Sequence, residues 1–137
     1  MATEIISTQR LSLRGPLTGD LEKLHERIFS DALVMRFVFG GVPLTLDQTS
    51  KFFTLAFDHD ATGLKLCVLV EKASSEIIGF SGLIACDALN TEDYEIGFVL
   101  SRSVWGKGYA TEIGLGQLDY GFRAVGCERL LAQVAPE

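Results

Sequence analysis

The sequence predicts an α/β protein in which helices pack on one mixed, mostly antiparallel sheet. Two observations predict this fold class. From Leu64 to Leu100 the chain consists of alternating apolar segments joined by short polar links, which is typical of antiparallel strands. The segments on either side have the apolar spacing of helices, and a last apolar segment after the second helical region predicts a parallel crossover.

Composition limits the function classes. The chain has 137 residues, of which 47% are hydrophobic and 22% charged, and it contains no repeat or flexible linker, so we expect one domain at residues 8–137. A net charge of −6 argues against nucleic acid or anionic membrane partners. The sequence contains no apolar segment long enough to span a bilayer and does not begin like a signal peptide, which predicts a cytoplasmic protein.

The three cysteines, Cys67, Cys86 and Cys127, are widely spaced and have no CxxC pattern or neighbouring histidine pair. This spacing argues against a disulfide framework and against a metal site. We expect all three to be small buried hydrophobic residues.

The N-terminal part of the chain predicts a strand and two helices. Residues 9–14 alternate between polar and apolar, which predicts a strand with one buried face. Thr18 is expected to cap a first helix, in which Leu24 and Ile28 belong to the apolar stripe. Thr45 and Gln48 have the spacing of a capping box and predict a second helix that runs to about residue 57.

The central and C-terminal parts predict four strands and a long helix. The five-residue link at 72–76 predicts a hairpin between strands at 64–71 and 77–85, and a further strand occupies 94–100. A helix is predicted over 109–125, followed by a last strand at 129–134 that runs parallel to 94–100. The buried stripe of this helix is predicted to be Ile113, Leu118, Phe122 and Val125.

A strand, a glycine turn and a helix start follow one another at residues 94–112. Free N–H groups and the positive dipole end of a helix bind anions, and glycines let a phosphate approach the backbone. Gly106 and Gly108 are placed for that role, although a plain helix-start turn has the same pattern. A P-loop is excluded because no Ser or Thr directly follows Lys107, and a dinucleotide fingerprint fails because Thr111 replaces its third glycine.

The segment from Trp105 to Ala110 resembles the acyl-CoA signature of the Gcn5-related N-acetyltransferase (GNAT) family, with Trp105 in place of the usual Gln or Arg. The strings TQRLSLR, YEIGFVL, WGKGYATE and LDYGF resemble its RimJ/RimL-type subgroup, which acetylates ribosomal-protein N-termini. The resemblance implies a GNAT-like fold, acetyl-CoA as cosubstrate and no metal. It implies cofactor contacts from Phe98, Val99, Leu100, Trp105, Gly106, Lys107, Gly108, Tyr109, Ala110 and Thr111.

The implied activity is acetyl transfer to a primary amine, on a small molecule or a protein N-terminus, by direct attack in a ternary complex. An ammonium must lose its proton before it attacks, and Glu95 on the cofactor strand is the candidate base. The other interpretation of Glu95 is an exposed or ion-paired strand carboxylate. A second interpretation of the whole protein is an acetyl-CoA-binding or assembly module with impaired catalysis.

The family usually continues past the strand at 129–134 with a further helix and one or two strands, whereas this sequence ends at Glu137. We therefore expect the C-terminal helix and strands to be missing, which puts catalytic competence in question. The uncovered apolar edge of the last strand is prone to pair with another chain, so we expect either a truncated gene product or a homo-oligomer in which a second chain completes the sheet.

Overall fold

The computed structural model describes residues 2–36, 38–86, 89 and 93–131. These residues form one sheet of six strands in the order β1-β2-β3-β4-β5-β6. The first five strands pair antiparallel with their neighbours, and β6 pairs parallel with β5. This confirms the predicted mixed sheet and the parallel crossover. The strands are β1 Glu4–Ser7, β2 Leu11–Arg14, β3 Leu66–Glu71, β4 Glu76–Cys86, β5 Asp93–Leu100 and β6 Leu130–Leu131.

Helices lie on both faces of the sheet, as predicted. Two of them continue into a π-helical turn, at His25–Phe29 and at Tyr120–Val125, and short 3₁₀ turns occupy Phe39–Gly41 and Arg102–Val104. The α-helices are α1 Asp20–Leu24, α2 Ala32–Met35, α3 Leu46–Ala56 and α4 Tyr109–Asp119. No helix among the described residues is long and apolar enough to cross a membrane.

The two predicted helix caps have different outcomes. At α3 the capping box is confirmed, since the Gln48 N–H donates to the Thr45 hydroxyl at 3.2 Å and the Thr45 N–H donates to the Gln48 side chain at 2.9 Å. At α1 the predicted cap at Thr18 is wrong, because the helix begins after Gly19 without a side-chain cap. The buried Asp20 orders this start instead, by accepting the Leu17 N–H at 2.7 Å.

The first core lies between the sheet and helices α1 to α3. Phe29 stacks on Phe80 with ring centroids 5.4 Å apart, and Phe52 and Phe57 meet these rings edge-on or tilted. Aromatic pairs at these distances are stabilised beyond the burial of their area. We call this set of rings, together with Phe53, the phenylalanine cluster.

The second core lies between the sheet and α4. It contains Leu11, Leu13, Leu69, Ile78 and Ile113, all buried. Strand β3 contributes to both cores, since alternate residues face opposite sides, so its nearly continuous burial is explained.

The predicted buried face of α4 is largely wrong. Ile113 is buried as predicted, but Leu118 and Phe122 are 36% and 47% exposed, and Val125 is only partly buried. The helix turns Gln117 toward the sheet instead, because this side chain donates a hydrogen bond to Ser81 of β4. The predicted stripe omits Gln117, because hydropathy selects only apolar residues for a buried face.

Three further differences concern the ends of the sheet and the cysteines. Strand β1 was not predicted. The last predicted strand is described at Leu130 and Leu131, whereas residues 132–134 of that prediction lie outside the described part of the chain. Cys67 is buried as expected, but Cys86 and Cys127 are only half-buried, so the prediction for these two is wrong.

Candidate functional site

The outer edge of β5 is the edge that does not face β4. In an antiparallel pair the main-chain groups of successive residues point alternately toward and away from the partner. Just beyond β5 the Ser101 N–H donates to the Ile78 oxygen at 2.8 Å, which fixes the phase of this alternation. Val99 therefore turns its main-chain groups toward β4, whereas Phe98 and Leu100 turn theirs toward the outer edge.

Strand β6, as far as the structure describes it, covers only the beginning of that edge. Within the described residues, β6 pairs with β5 at Tyr94 and Glu95. The outward main-chain groups of Phe98 lie beyond this pairing. An extended ligand that carries amide groups can pair there in the way an added strand does.

Trp105 closes the far end of the open edge. Its indole N–H donates to the Leu100 oxygen at 3.0 Å, while about half of its side chain is exposed. The outward carbonyl of Leu100 therefore has a partner, and the Leu100 N–H is the group of that residue that remains for a ligand. A ligand that pairs with this edge as an added strand would therefore bind to the main-chain groups of Phe98 and to the N–H of Leu100.

The glycine turn follows directly. Gly106 and Gly108 have φ of 83° and 81°, in the left-handed region that glycine adopts without strain. A Cβ at Gly106 would meet no described atom within 4 Å, so the turn is open on that side. This space next to the backbone is what a phosphate needs in order to approach it.

The start of α4 has N–H groups without helical partners. The first bond of the helix is the Glu112 N–H to the Gly108 oxygen, at 3.1 Å. The N–H groups of Tyr109, Ala110 and Thr111 precede that bond and have no helical acceptor. No described side chain caps this helix. These amides, with the positive end of the helix dipole, can bind an anion.

Two side chains of the turn, those of Tyr109 and Lys107, contact Glu71 on β3. Tyr109 is buried, and its hydroxyl donates to the Glu71 carboxylate at 2.6 Å. This bond raises the pKa of Tyr109, while hydrogen bonds from Ser74 and then Tyr109 lower the pKa of Glu71. The Lys107 ammonium lies 3.9 Å from the same carboxylate. Tyr109 thus anchors the helix start to β3 and contributes to the site through its backbone.

Arg10 and Glu112 also hold the turn, and sequence reasoning missed both. The Arg10 guanidinium donates to the Glu112 carboxylate at 2.6 Å and to the Lys107 oxygen at 2.8 Å. Partial burial tends to raise the pKa of Glu112, but hydrogen bonds from Thr8 and Arg10 outweigh it and lower that pKa. Because 102 residues separate Arg10 from Glu112, no local pattern could have predicted the contact.

Glu95, the candidate base, is half-buried on β5 between Ile84 of β4 and Leu131 of β6. Alternation along the strand places it on the same face as Val99, which packs against the first core. The structure therefore places Glu95 on β5, on the same face as Val99 and four residues before it.

A cavity of about 510 Å³ lies at the opposite end of β5 from the glycine turn. It is lined by Asp93, Tyr94 and residues 125–129. The Arg129 guanidinium donates to Asp93 at 2.8 Å along this wall. None of the predicted site residues lines this cavity. Within the described ranges, no cluster of three or more His, Cys, Asp or Glu side chains suited to a metal ion is present.

The chain is similar to known acetyltransferases. The family model described as "Acetyltransferase (GNAT) domain" matches residues 10–137. An uncharacterized N-acetyltransferase p20 from Bacillus licheniformis is 32% identical over 98% of this chain and 75% of its own length. The structure of a GNAT-family acetyltransferase from Bacillus anthracis is 28% identical, with a TM-score of 0.76 over 96% of this chain and 72% of that one.

A third likeness concerns the fold alone. RimL, a ribosomal alpha-N-protein acetyltransferase solved in complex with coenzyme A, is 17% identical. Its TM-score is 0.74, over 95% of this chain and 73% of that chain.

Proposed function

Because the chain belongs to the GNAT acetyltransferase family, we propose that it transfers an acetyl group from acetyl-CoA to a primary amine. One observation carries this proposal: the outer edge of β5, which the described part of β6 pairs with only at Tyr94 and Glu95, leads directly into a glycine turn and a helix start. Among the described residues, the N–H groups of that helix start have no helical or side-chain partner. Acetyl-CoA carries a thioester, an amide-bearing arm and a pyrophosphate in that order. Its arm has amides that can pair with the strand edge, and its pyrophosphate suits the N–H groups at the helix start.

The residues have separate roles in the proposal. The N–H groups from Gly108 to Thr111 bind the pyrophosphate, and Lys107 adds positive charge near it. The outward main-chain groups of Phe98 and Leu100 pair with the amides of the pantetheine arm. Val99 does not take part in this pairing, because its main-chain groups face β4. Trp105 holds the end of the edge in place through the Leu100 oxygen.

Acetyl transfer forms one bond and breaks another. The amine nitrogen bonds to the acetyl carbonyl carbon, the carbon–sulfur bond breaks, and the CoA thiolate takes up a proton. A main-chain N–H on the open edge of β5 stabilises the negative charge that develops on the carbonyl oxygen. Glu95 accepts the proton that the ammonium loses, directly or through water. The net charge of −6 favours a cationic amine substrate.

The anion site is tested with substitutions at Thr111, which is exposed in the first turn of α4. Thr111→Glu places a carboxylate beside the proposed pyrophosphate site, and a carboxylate in a first turn also suits the helix dipole. We expect calorimetric titration with CoA to show at least about tenfold weaker binding, with the melting temperature unchanged or raised. Thr111→Gln is the neutral control and should bind as the wild type does. Equal binding by all three proteins would refute the assigned site.

The base is tested by turnover. Glu95→Gln removes the proton acceptor and keeps the shape, so we expect kcat to fall by about a hundredfold or more while KM for acetyl-CoA stays unchanged. The assay uses peptide N-termini and small primary amines in parallel. Wild-type protein that binds CoA without acetylating any amine would instead support a binding module. Unchanged kcat in Glu95→Gln would remove Glu95 from the mechanism.

A further inference from the structure

We propose that Arg10, in the turn between β1 and β2, is a positioning residue that orients the Lys107–Gly108 peptide toward the bound pyrophosphate. The proposal rests on the proposed function, because it concerns the same anion site. Arg10 does not need to touch the ligand. It acts on the turn from behind, through the Lys107 oxygen.

The first reason is the geometry of one peptide group. The Arg10 Nη1 donates to the Lys107 oxygen at 2.8 Å. A trans peptide is planar, and its C=O and N–H point in opposite directions. The Gly108 N–H, which shares this peptide, therefore points away from Arg10. No acceptor among the described residues takes that N–H.

The second reason is the charge at the helix start. Glu112 lies in the first turn of α4, where its negative charge suits the helix dipole but repels a bound phosphate. The Arg10 Nε lies 2.6 Å from the Glu112 carboxylate, and the Arg10 main-chain N–H donates to its other oxygen at 2.8 Å. The Arg10 charge thus offsets the charge of this first-turn carboxylate.

The third reason is that the guanidinium is held in one orientation. It lies over the Tyr109 ring, 4.5 Å from the centroid, while its Nε and Nη1 bind two different acceptors. A planar fork can make these contacts at once, whereas a lysine ammonium on a flexible stem cannot reproduce them. The contact should therefore be specific for arginine, and positive charge alone should not replace it.

A purely structural role for Arg10 makes a different prediction. If Arg10 only fastened the β1–β2 turn to α4, its loss would weaken every ligand and lower stability in proportion. Positioning of the glycine turn affects only the part of the ligand that binds there. S-acetylpantetheine lacks the pyrophosphate and keeps the thioester and the amide arm, so it separates the two roles.

The experiment compares Arg10→Ala and Arg10→Lys with the wild type. We expect both variants to bind CoA about tenfold more weakly or worse by calorimetry, and KM for acetyl-CoA to rise to a similar extent. KM for S-acetylpantetheine should stay within about twofold of the wild-type value. The matched control is Arg123→Ala, which removes an exposed ion pair with Asp119 at the far end of the same helix and should change neither constant.

A measurement on the ligand-free protein tests the positioning role of Arg10 even if Arg10→Ala is too unstable for kinetics. The ¹H–¹⁵N signal of the Gly108 amide should shift in Arg10→Lys and stay in place in Arg123→Ala. Equal losses for the two acetyl donors, or an unmoved Gly108 signal, would overturn the positioning role and leave the proposed function intact. A wild-type protein that binds no CoA would overturn the proposed function, and the role of Arg10 with it.

Discussion

The two faces of the sheet differ in where aromatic packing and the polar contacts around the anion site lie. On the face of α1 to α3, the phenylalanine cluster packs ring against ring around Phe29 and Phe80. On the face of α4, an apolar layer is combined with directional polar contacts, such as Gln117 to Ser81 and Arg10 to Glu112. The anion site lies on the second face.

This difference indicates which contacts mainly stabilise the fold and which fix the geometry of the site. Apolar packing depends on area and shape and has little directional preference, so it stabilises the fold without fixing single peptide orientations. Hydrogen bonds are directional and fix the orientation of backbone groups. We therefore expect substitutions in the phenylalanine cluster to change stability most, and substitutions in the polar contacts to change the site more than the stability.

The largest stability effect is expected from Phe29→Ala. It removes a fully buried ring that contacts at least two others, and such truncations cost about 3–5 kcal/mol. The free energy of unfolding is measured in urea. Phe122→Ala is the control, because its ring is 47% exposed on the outer side of α4 and its loss should cost under about 0.5 kcal/mol. Similar losses in the two variants would contradict the assignment of Phe29 to the first core.

An intermediate effect is expected from the buried polar contact. Gln117 donates to Ser81 at 3.1 Å, and the Ser81 hydroxyl donates to the Gly97 oxygen of β5 at 2.8 Å. Gln117→Leu should cost about 1–3 kcal/mol, since the Ser81 hydroxyl loses its donor. Combining it with Ser81→Ala should cost about 1 kcal/mol less than the sum of the single changes. Strict additivity in urea unfolding would show that the two side chains are not coupled.

The smallest effect concerns pH, which acts on charged contacts and leaves the rings unaffected. Asp58 is 1% exposed and accepts bonds from the Thr62 N–H and hydroxyl and from the Gly63 N–H. Burial tends to raise its pKa, but these hydrogen bonds outweigh it and lower the pKa below the usual 3.8. A carboxylate whose pKa is lowered by folding stabilises the fold at pH values above its pKa in the unfolded chain. This stabilisation is lost as the pH falls through the pKa of the folded state.

We therefore expect the free energy of unfolding to fall from about pH 5 down through 3.8, and to fall less steeply in Asp58→Asn. Urea unfolding at several pH values gives both slopes. Phe29→Ala should shift the whole curve downward without changing its slope. Parallel curves for the wild type and Asp58→Asn would exclude this carboxylate as a source of acid sensitivity.

Several features were predictable because their causes are local. The capping box at Thr45 and Gln48 involves two side chains three residues apart, and strand β3 has continuous apolar character since both of its faces are covered. The resemblance to the GNAT family through the glycine turn is confirmed by the family match. The roles of Glu95 and of the individual turn residues remain predictions.

Other features depend on contacts that no local pattern contains. Leu115, Leu118 and Phe122 form an apolar stripe that competes with the true buried side of α4, so hydropathy gave the wrong face. The buried side of α4 includes Gln117, whose hydrogen-bond partner, Ser81, lies on β4. Thr18 is a residue type that commonly caps helices, but the start of α1 is ordered by Asp20 instead. The Asp20 carboxylate is held by the Arg14 guanidinium, which donates a hydrogen bond to it at 2.8 Å.

The sequence by itself determined five of the six strands, the start of α3 at its capping box, the glycine turn and the family, because each depends on neighbouring residues or on a contiguous motif. Only the tertiary structure decided which side of α4 is buried, which main-chain groups of β5 face outward, and that Arg10 holds the turn 97 residues away. These features depend on strand register and long-range hydrogen bonds, which exist only once distant segments have packed together.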